Sequence, residues 1–159
     1  MTKSNIEFVA DAIDLAILRE LRQDSKQSIR KLAQKVGSHP NTLIQRIKKL
    51  EEQKVIKKYS IDIDFRKLGW DTHALVLMKV KKGRTGDLKQ LESITKIPQI
   101  QALYAITGNY DVAALFRVKD RDEMSQVQRK IIENSDIIRT NTSIILFTYK
   151  QPYDYNPLG

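Results

Sequence analysis

The stretch LAQKVGSHPNTLIQRIKKLEEQKVIKKY, residues 32–59, decides the fold of the first third of the chain. Two apolar stripes with helical spacing lie on either side of Gly37, and glycine is the residue that most easily takes the left-handed conformation at a helix end. Pro40 suits the first turn of the second helix, where a backbone N–H has no helical partner. Two helices joined by a glycine turn predict a helix-turn-helix.

A further helix is predicted before this pair. Asp11 is a suitable N-cap for an apolar set on one face, and Asp14 lies where an acid favours the helix dipole. Ser28 can cap the middle helix in the same way. The sequence therefore predicts three helices in the first third of the chain, of which the last would be the recognition helix.

The last of these helices has an apolar side and a polar side. Leu43, Ile47 and Leu50 are predicted to face inward, with Ile44 beside them. Side chains near the start of a recognition helix reach base edges in the major groove, and basic side chains along it contact phosphate. The candidates for base readout are His39, Asn41, Thr42 and Gln45, with Ser38 at the helix start. The candidates for phosphate contact are Arg46, Lys48 and Lys49.

Charge supports a nucleic-acid partner. The formal net charge is +9. Residues 26–58 hold ten Lys or Arg and two acids, an excess of +8. Because the excess positive charge is concentrated in the predicted helix-turn-helix, it indicates binding to a polyanion there rather than general solubility.

Beyond Leu50 the apolar period changes. Residues 55–63 alternate as two short strands would, which predicts either a small hairpin of the winged-helix kind or a linking strand. Residues 65–69 end in glycine and are predicted to be a hinge. We therefore divide the chain into a DNA-binding domain, residues 1–64, and a second domain, residues 65–159.

The second domain shows alternating strand and helix signals. Strands are predicted at residues 72–82, 100–107, 110–118 and 137–150, and helices from Leu88 to Thr95 and at residues 121–133, with Met124, Val127, Ile131 and Ile132 inward. Gly108-Asn109 is a hairpin turn signal. The order strand, helix, strand, strand, helix, strand is ferredoxin-like, so the fold class is α+β. One helix layer would leave a sheet face for dimerisation.

The residue inventory argues against several classes of protein. There is no cysteine, and the two histidines, His39 and His73, lie in different predicted elements. We therefore expect no metal site, no cofactor and no enzymatic activity. No signal peptide or membrane-spanning run is recognised, so we expect a cytoplasmic protein with no membrane partner.

The combination resembles the Lrp/AsnC family of transcriptional regulators over roughly residues 9–150. The segments that carry the resemblance are DAIDLAILREL, LAQKVG, RIKKLEEQKVIKKY, the LG at 68–69, YAITGNYD and RTNTSIIL. The resemblance implies a regulator of promoter DNA that assembles as a homodimer and further as a tetramer or octamer. It also implies an amino-acid effector bound between dimers. The effector residues implied are Tyr104, Gly108, Asn109, Tyr110, Asp111, Thr140 and Thr142.

The sequence departs from the family pattern at two places. His39 stands where the family usually has a capping serine, so Ser38 is expected to take over the cap. Gln53-Lys54 replaces an acidic residue and glycine at the end of the recognition helix.

Three alternatives remain open from the sequence. The chain could be an architectural DNA-binding protein without an effector, or a ferredoxin-like enzyme. It could also bind RNA through Gly83-Arg84-Thr85-Gly86, which fits the loop of a KH domain. The identity of the effector, the operator sequence and the direction of regulation are not encoded in any motif.

Overall fold

A computed structural model describes residues 8–81, 91–151 and 157. Contacts divide the chain into two compact units. Among the described residues, unit 1 comprises 8–62 with Lys150 and Gln151, and unit 2 comprises Ile63–Tyr149. The RNA-binding motif considered at 83–86, and the predicted helix start at Leu88, lie outside the described residues. No helix within the described ranges is long and apolar enough to cross a membrane.

Unit 1 is a three-helix domain. Its helices are α1 (Ala12–Gln23), α2 (Ile29–Val36) and α3 (Pro40–Glu52). Their shared core consists of side chains that are at most 2% exposed: Ile17, Leu32, Ala33, Leu43 and Leu50. Each helix contributes to this core, as the apolar stripes of the sequence predict. The helix-turn-helix prediction is therefore confirmed.

The turn between α2 and α3 follows from two local features. Gly37 has a φ of 65°, and the N–H of Ser38 donates to Ala33 O at 2.9 Å, which closes the end of α2. His39, rather than Ser38, is the N-cap of α3, and its Nδ1 accepts from the N–H of Asn41 at 3.3 Å. The expectation that Ser38 caps α3 was wrong by one residue, because the imidazole can perform the same task as a serine hydroxyl.

The two short strands predicted at residues 55–63 do not form within this fully described segment. Lys54 takes a left-handed φ of 55°, and the N–H groups of Val55 and Ile56 donate to Leu50 O at 2.9 and 3.1 Å. These bonds turn the chain back onto the end of α3, where Ile56 packs against the core of unit 1. The alternating residues lack a strand partner, and Ile61 is 70% exposed. The predicted hinge at 65–69 is a 3-10 helix, Phe65–Leu68, which ends at Gly69.

Unit 2 has the predicted ferredoxin-like order. Its elements after the 3-10 helix are β1 (Thr72–Val80), α4 (Glu92–Thr95), β2 (Ile100–Ala105), β3 (Val112–Val118), α5 (Arg121–Ile132) and β4 (Ile137–Ile144). The strands form one antiparallel sheet in the spatial order β2-β3-β1-β4. Strands β2 and β4 are therefore the two edges. The α+β prediction, with a helix-turn-helix and a ferredoxin-like sheet, is confirmed.

The two faces of the sheet differ in burial. Ala74, Val76 and Met78 of β1 are at most 1% exposed and form a core with Ile94 of α4 and Val127 of α5. We call this side the helix face. The opposite side, which we call the open face, carries Leu75 and Leu77 of β1 with Ala113 and Leu115 of β3. Of these, Leu75, Leu77 and Leu115 are only partly buried.

Several details of unit 2 differ from the prediction. Strands β2 and β3 are shorter, because residues 106–111 are needed to turn between them. The final strand ends at Ile144 instead of 150, since its pairing with β1 ends at Ala74 and Ile144. Ile132, predicted to be inward, is 64% exposed, whereas Val127 and Ile131 are buried.

Candidate nucleic-acid interface and ligand site

Helix α3 carries two stripes with the same helical spacing. Leu43, Ile47 and Leu50 occupy the inward stripe, as predicted, and Arg46 is its fourth member. The other stripe runs along the exposed side of the helix. This outward stripe consists of Asn41, Ile44, Gln45 and Lys48, all of which are exposed. The helix therefore presents two amides, a cation and one aliphatic side chain to solvent.

The remaining candidate DNA-binding residues flank this stripe. Thr42 and Lys49 are exposed on one side of it, and Lys49 Nζ lies 5.5 Å from the centre of the Phe8 ring. His39 is exposed at the start of the helix, and Ser38 beside it is partly buried. A helix N-terminus surrounded by hydrogen-bonding side chains can contact base edges, with its cations placed for phosphate.

Arg46 is engaged inside unit 1. Its guanidinium donates to Asp11 Oδ2 at 2.6 Å and to Asp14 Oδ1 at 2.8 Å. Asp14 is only 5% exposed. The two aspartates form a reciprocal capping box at the start of α1, in which Asp11 Oδ1 accepts from the N–H of Asp14 at 2.8 Å. Arg46 thus ties the recognition helix to the first turn of α1.

The electrostatics follow from this geometry. The N–H of Asp14 and the guanidinium of Arg46 lower the pKa of Asp11 below its usual value. The bonds to Asp11 and Asp14 raise the pKa of Arg46. Lys48 differs, because its ion pair within the described residues is an exposed contact of 3.8 Å with Glu52, one helical turn away. Such exposed pairs contribute little and separate easily, so Lys48 is available to a partner.

The predicted effector residues on the strands lie at different edges and on different faces of the sheet. Thr140 and Thr142 pair with Met78 and Val76, so they lie at the β4 edge on the helix face. Tyr104 pairs with Ala113 and therefore lies at the β2 edge on the open face, where it is 53% exposed. In the described structure, these three side chains do not meet within one chain.

The turn between β2 and β3 brings the other predicted residues to one end of the sheet. Gly108 has a φ of 114°, which a side-chain-bearing residue rarely adopts. Asn109 beside it is exposed. Tyr110 lies with its ring 5.0 Å from the guanidinium carbon of Arg139 on β4. Arg139 was not among the residues predicted from sequence, since only the structure shows which side chain of β4 contacts Tyr110.

Asp111 anchors the turn to β1. Its Oδ1 accepts from Lys79 Nζ at 2.9 Å and its Oδ2 accepts from the N–H of Val80 at 3.0 Å. These bonds, that of Lys79 above all, lower the pKa of the carboxyl. A ligand ammonium at Asp111 would therefore share this carboxylate with Lys79 or displace it. Lys79 and Arg139, which pair directly across the strands, supply positive charge for a ligand carboxylate.

A pocket of unit 2 lies elsewhere. It has a volume of about 290 Å³, and none of the predicted effector residues lines it. Its lining consists of Ser93, Lys96, Ile97, Lys130, Glu133 and Asn134, from the α4 and α5 side. Among the described residues, no group of three or more His, Asp and Glu side chains is placed to hold a metal ion.

Comparison with known proteins matches both units. An AsnC-type helix-turn-helix domain matches residues 11–51, and an Lrp/AsnC ligand binding domain matches residues 73–155. The chain belongs to the Lrp/AsnC family of transcriptional regulators. It therefore combines a DNA-binding helix-turn-helix with a ligand-binding domain.

Individual relatives agree with this assignment. The chain is 33% identical over 141 residues to the transcriptional regulator FL11 of Pyrococcus horikoshii, across 89% of this chain and 92% of FL11. It is also 33% identical over 146 residues to the transcriptional regulator AzlB of Bacillus subtilis, across 91% of this chain and 93% of AzlB. Both relatives are named as regulators of transcription.

Solved structures share the fold. E. coli AsnC superposes with a TM-score of 0.82 at 23% identity, across 91% of this chain and 97% of AsnC. The regulator NMB0573 of Neisseria meningitidis, solved as a complex with L-Met, gives a TM-score of 0.83 at 19% identity, across 90% of this chain and 94% of that one. At these identities the likeness concerns the fold.

Proposed function

We propose that this regulator reads a specific double-stranded DNA site with α3 and responds to an amino acid bound by unit 2. The observation that carries the proposal is the outward stripe of α3, where Asn41, Gln45 and Lys48 are exposed, on the side of the helix opposite the buried Leu43 and Leu50. In this division of labour, residues 1–64 bind DNA, and residues 65–159 sense the ligand and assemble the oligomer.

The base readers would be the side chains at the start of α3. Amide side chains such as those of Asn41 and Gln45 can bond two atoms of one base, which discriminates by roughly 1–3 kcal/mol. His39 uses Nδ1 to cap the helix, which leaves Nε2 for DNA. Ser38 and Thr42 would add hydroxyl contacts, and Lys48 and Lys49 would contact phosphate.

Arg46 receives a different role in this proposal. Its guanidinium already has two carboxylate partners, at 2.6 and 2.8 Å. A phosphate contact would require breaking bonds to Asp14, which is buried. We therefore place Arg46 behind the interface, where it fixes the direction of α3 relative to α1.

An amino acid is the ligand class that the turn at 108–111 fits. An amino acid carries a carboxylate and an ammonium. Asp111 is bonded to Lys79, and Arg139 lies over the ring of the adjacent Tyr110 and pairs with Lys79 across the strands. The family match of unit 2 to a ligand-binding domain and the L-Met complex of the Neisseria meningitidis regulator support this class. Gly108, Asn109 and Tyr110 would then line the site.

Tyr104, Thr140 and Thr142 would complete the ligand site only across an assembly. They lie at the two opposite edges of one sheet, so a second copy is needed to bring both edges to one ligand. The partly buried apolar side chains of the open face, such as Leu75 and Leu115, favour a homodimer. Further association into a tetramer or octamer would create sites between dimers. We expect such a regulator to act in the cytoplasm.

A mobility-shift experiment tests the proposal. The protein would be titrated onto the DNA upstream of its own gene over a salt series, with unrelated DNA as competitor, and then with single amino acids added. A dimer predicts half-sites about 34 Å apart, or a multiple of it. A complex that resists competitor DNA and responds to an amino acid is the expected result. If unrelated DNA removed the complex as well as specific DNA did, the protein would have a non-specific architectural role. If no amino acid changed DNA binding, the proposal of an amino-acid effector would be wrong.

The base readers have their own test. Asn41→Ala and Gln45→Ala should change the preference between operator variants, whereas Lys48→Ala should weaken binding to all of them equally. Sequence preference unchanged in both amide variants would refute the assignment of Asn41 and Gln45.

A further inference from the structure

One aliphatic side chain interrupts the polar outward stripe of α3. Ile44 is 49% exposed, whereas Leu43 and Leu50 of the same helix are completely buried. Half of a large apolar side chain therefore stands in water, although unit 1 has a core to receive such residues. An exposed isoleucine by itself needs no explanation, but its position in this stripe does.

The position of Ile44 is fixed by its neighbours. It follows Asn41 by three residues, precedes Gln45 directly and precedes Lys48 by four, so all four side chains project from one side of the helix. Ile44 neighbours both Asn41 and Lys48 on the helix surface, so a groove that receives these two side chains also meets Ile44.

The largest apolar group on the base edges of the major groove is the 5-methyl group of thymine. The polar groups that the bases present there are hydrogen-bond donors and acceptors, which an isoleucine would desolvate without compensation. We propose that Ile44 reads thymine in each half-site by packing against its 5-methyl group. The inference rests on the proposed DNA contact of α3 and adds a specificity-determining residue and its base to it.

Uracil in place of thymine tests this contact directly, because the two bases differ only in that methyl group. An operator would first be obtained by selection from random duplexes with the wild-type protein. Each thymine would then be replaced by uracil, one symmetric pair at a time, and the dissociation constant measured for wild type and Ile44→Ala. Loss of one buried methyl contact corresponds to about fourfold in affinity per half-site.

The expected result is a coupled loss at one thymine. Wild type should bind the uracil operator at that position about fourfold more weakly per half-site, and Ile44→Ala should bind the thymine and uracil operators equally. Leu15→Ala is the matched control, since Leu15 is a similarly exposed aliphatic residue, 37% exposed, on α1. It should keep the wild-type sensitivity to uracil. Far-UV circular dichroism would confirm that both variants are folded.

Two results would overturn the inference, and a third would overturn its basis. If Ile44→Ala kept the wild-type response to uracil at every thymine, Ile44 would not read the methyl group. If Ile44→Ala changed the oligomeric state and left operator affinity unchanged, Ile44 would serve a protein contact instead. If selection with wild type enriched no sequence at all, the proposed sequence-specific function would itself be wrong.

Discussion

Removing the charge of Lys48 should flatten the salt dependence of DNA binding by a calculable amount. Each phosphate contact contributes a slope of about −0.9 to the logarithm of affinity against the logarithm of salt. A dimer presents Lys48 twice, so Lys48→Ala should reduce the slope by about 1.8 in magnitude. Over a fourfold rise in salt, the variant should lose about 12-fold less affinity than wild type. Fluorescence anisotropy with a labelled operator gives this slope.

Arg46→Ala is the variant to compare with Lys48→Ala in the salt dependence of DNA binding. Because the guanidinium is bonded to Asp11 and Asp14, its removal should leave the salt slope of wild type and lower the melting temperature instead. Lys130→Ala, which removes an exposed charge from α5, controls for net charge and should change neither quantity. A slope flattened as strongly by Arg46→Ala as by Lys48→Ala would refute the assignment of Arg46 to the inside of unit 1.

Three further outcomes are expected. Lys54→Gly should stabilise unit 1 by about 0.5–1 kcal/mol in thermal denaturation, because Lys54 adopts a φ of 55° that glycine takes without strain; an unchanged melting temperature would contradict this. Asp111→Asn should destabilise unit 2 near neutral pH. The pKa of Asp111 is lowered by Lys79 and Val80, so its stabilisation is present above the usual value of 3.8 and is lost as the pH falls below it. Melting temperatures of variant and wild type should converge in acid; a gap that persists there would refute this source of stability. Phe116→Ala, at a fully buried position, should cost about 3–5 kcal/mol by chemical denaturation, and a cost below about 1 kcal/mol would exclude it from the core.

The order of elements was predictable because its signals are local. The caps at Asp11 and Ser28 and the left-handed turn at Gly37 each act within a few residues. In unit 2, the alternation along β1 predicts which side chains are buried, and Ala74, Val76 and Met78 are. Periodicity and capping thus determine where the helices and strands lie.

The failed predictions depend on partners distant in sequence. Residues 55–63 have the alternation of a strand, but a strand also needs a neighbouring strand for its backbone hydrogen bonds. Within the described residues, no strand pairs with this segment. The final strand likewise stops where its pairing with β1 stops, at Ile144, and Leu146 beyond it is 80% exposed. Composition favours extended chain in both segments, and only the pairing decides whether it becomes a strand.

The candidate ligand site was predictable only in part. The turn at 108–111 could be located from Gly108-Asn109, because glycine reports a backbone requirement. That Tyr104 lies on one sheet face and Thr142 on the other depends on register, which the sequence does not encode locally. The bond between Lys79 and Asp111 spans 32 positions and has no local signature.

Residue type suggested the wrong side of α3 for Ile44 and Arg46, whereas helical spacing gives the correct side for both. By type, the isoleucine was grouped with the inward residues and the arginine with the outward ones. Counting from Leu43 in steps of three, four and seven gives 46, 47 and 50, which places Arg46 in the inward stripe. The same count from Asn41 gives 44, 45 and 48, which places Ile44 outward. The structure follows the count, with Arg46 bonded to a buried aspartate and Ile44 half exposed. A charged residue in an apolar stripe therefore predicts a partner of opposite charge within the fold. An apolar residue in the stripe that contacts DNA predicts an apolar group on the DNA.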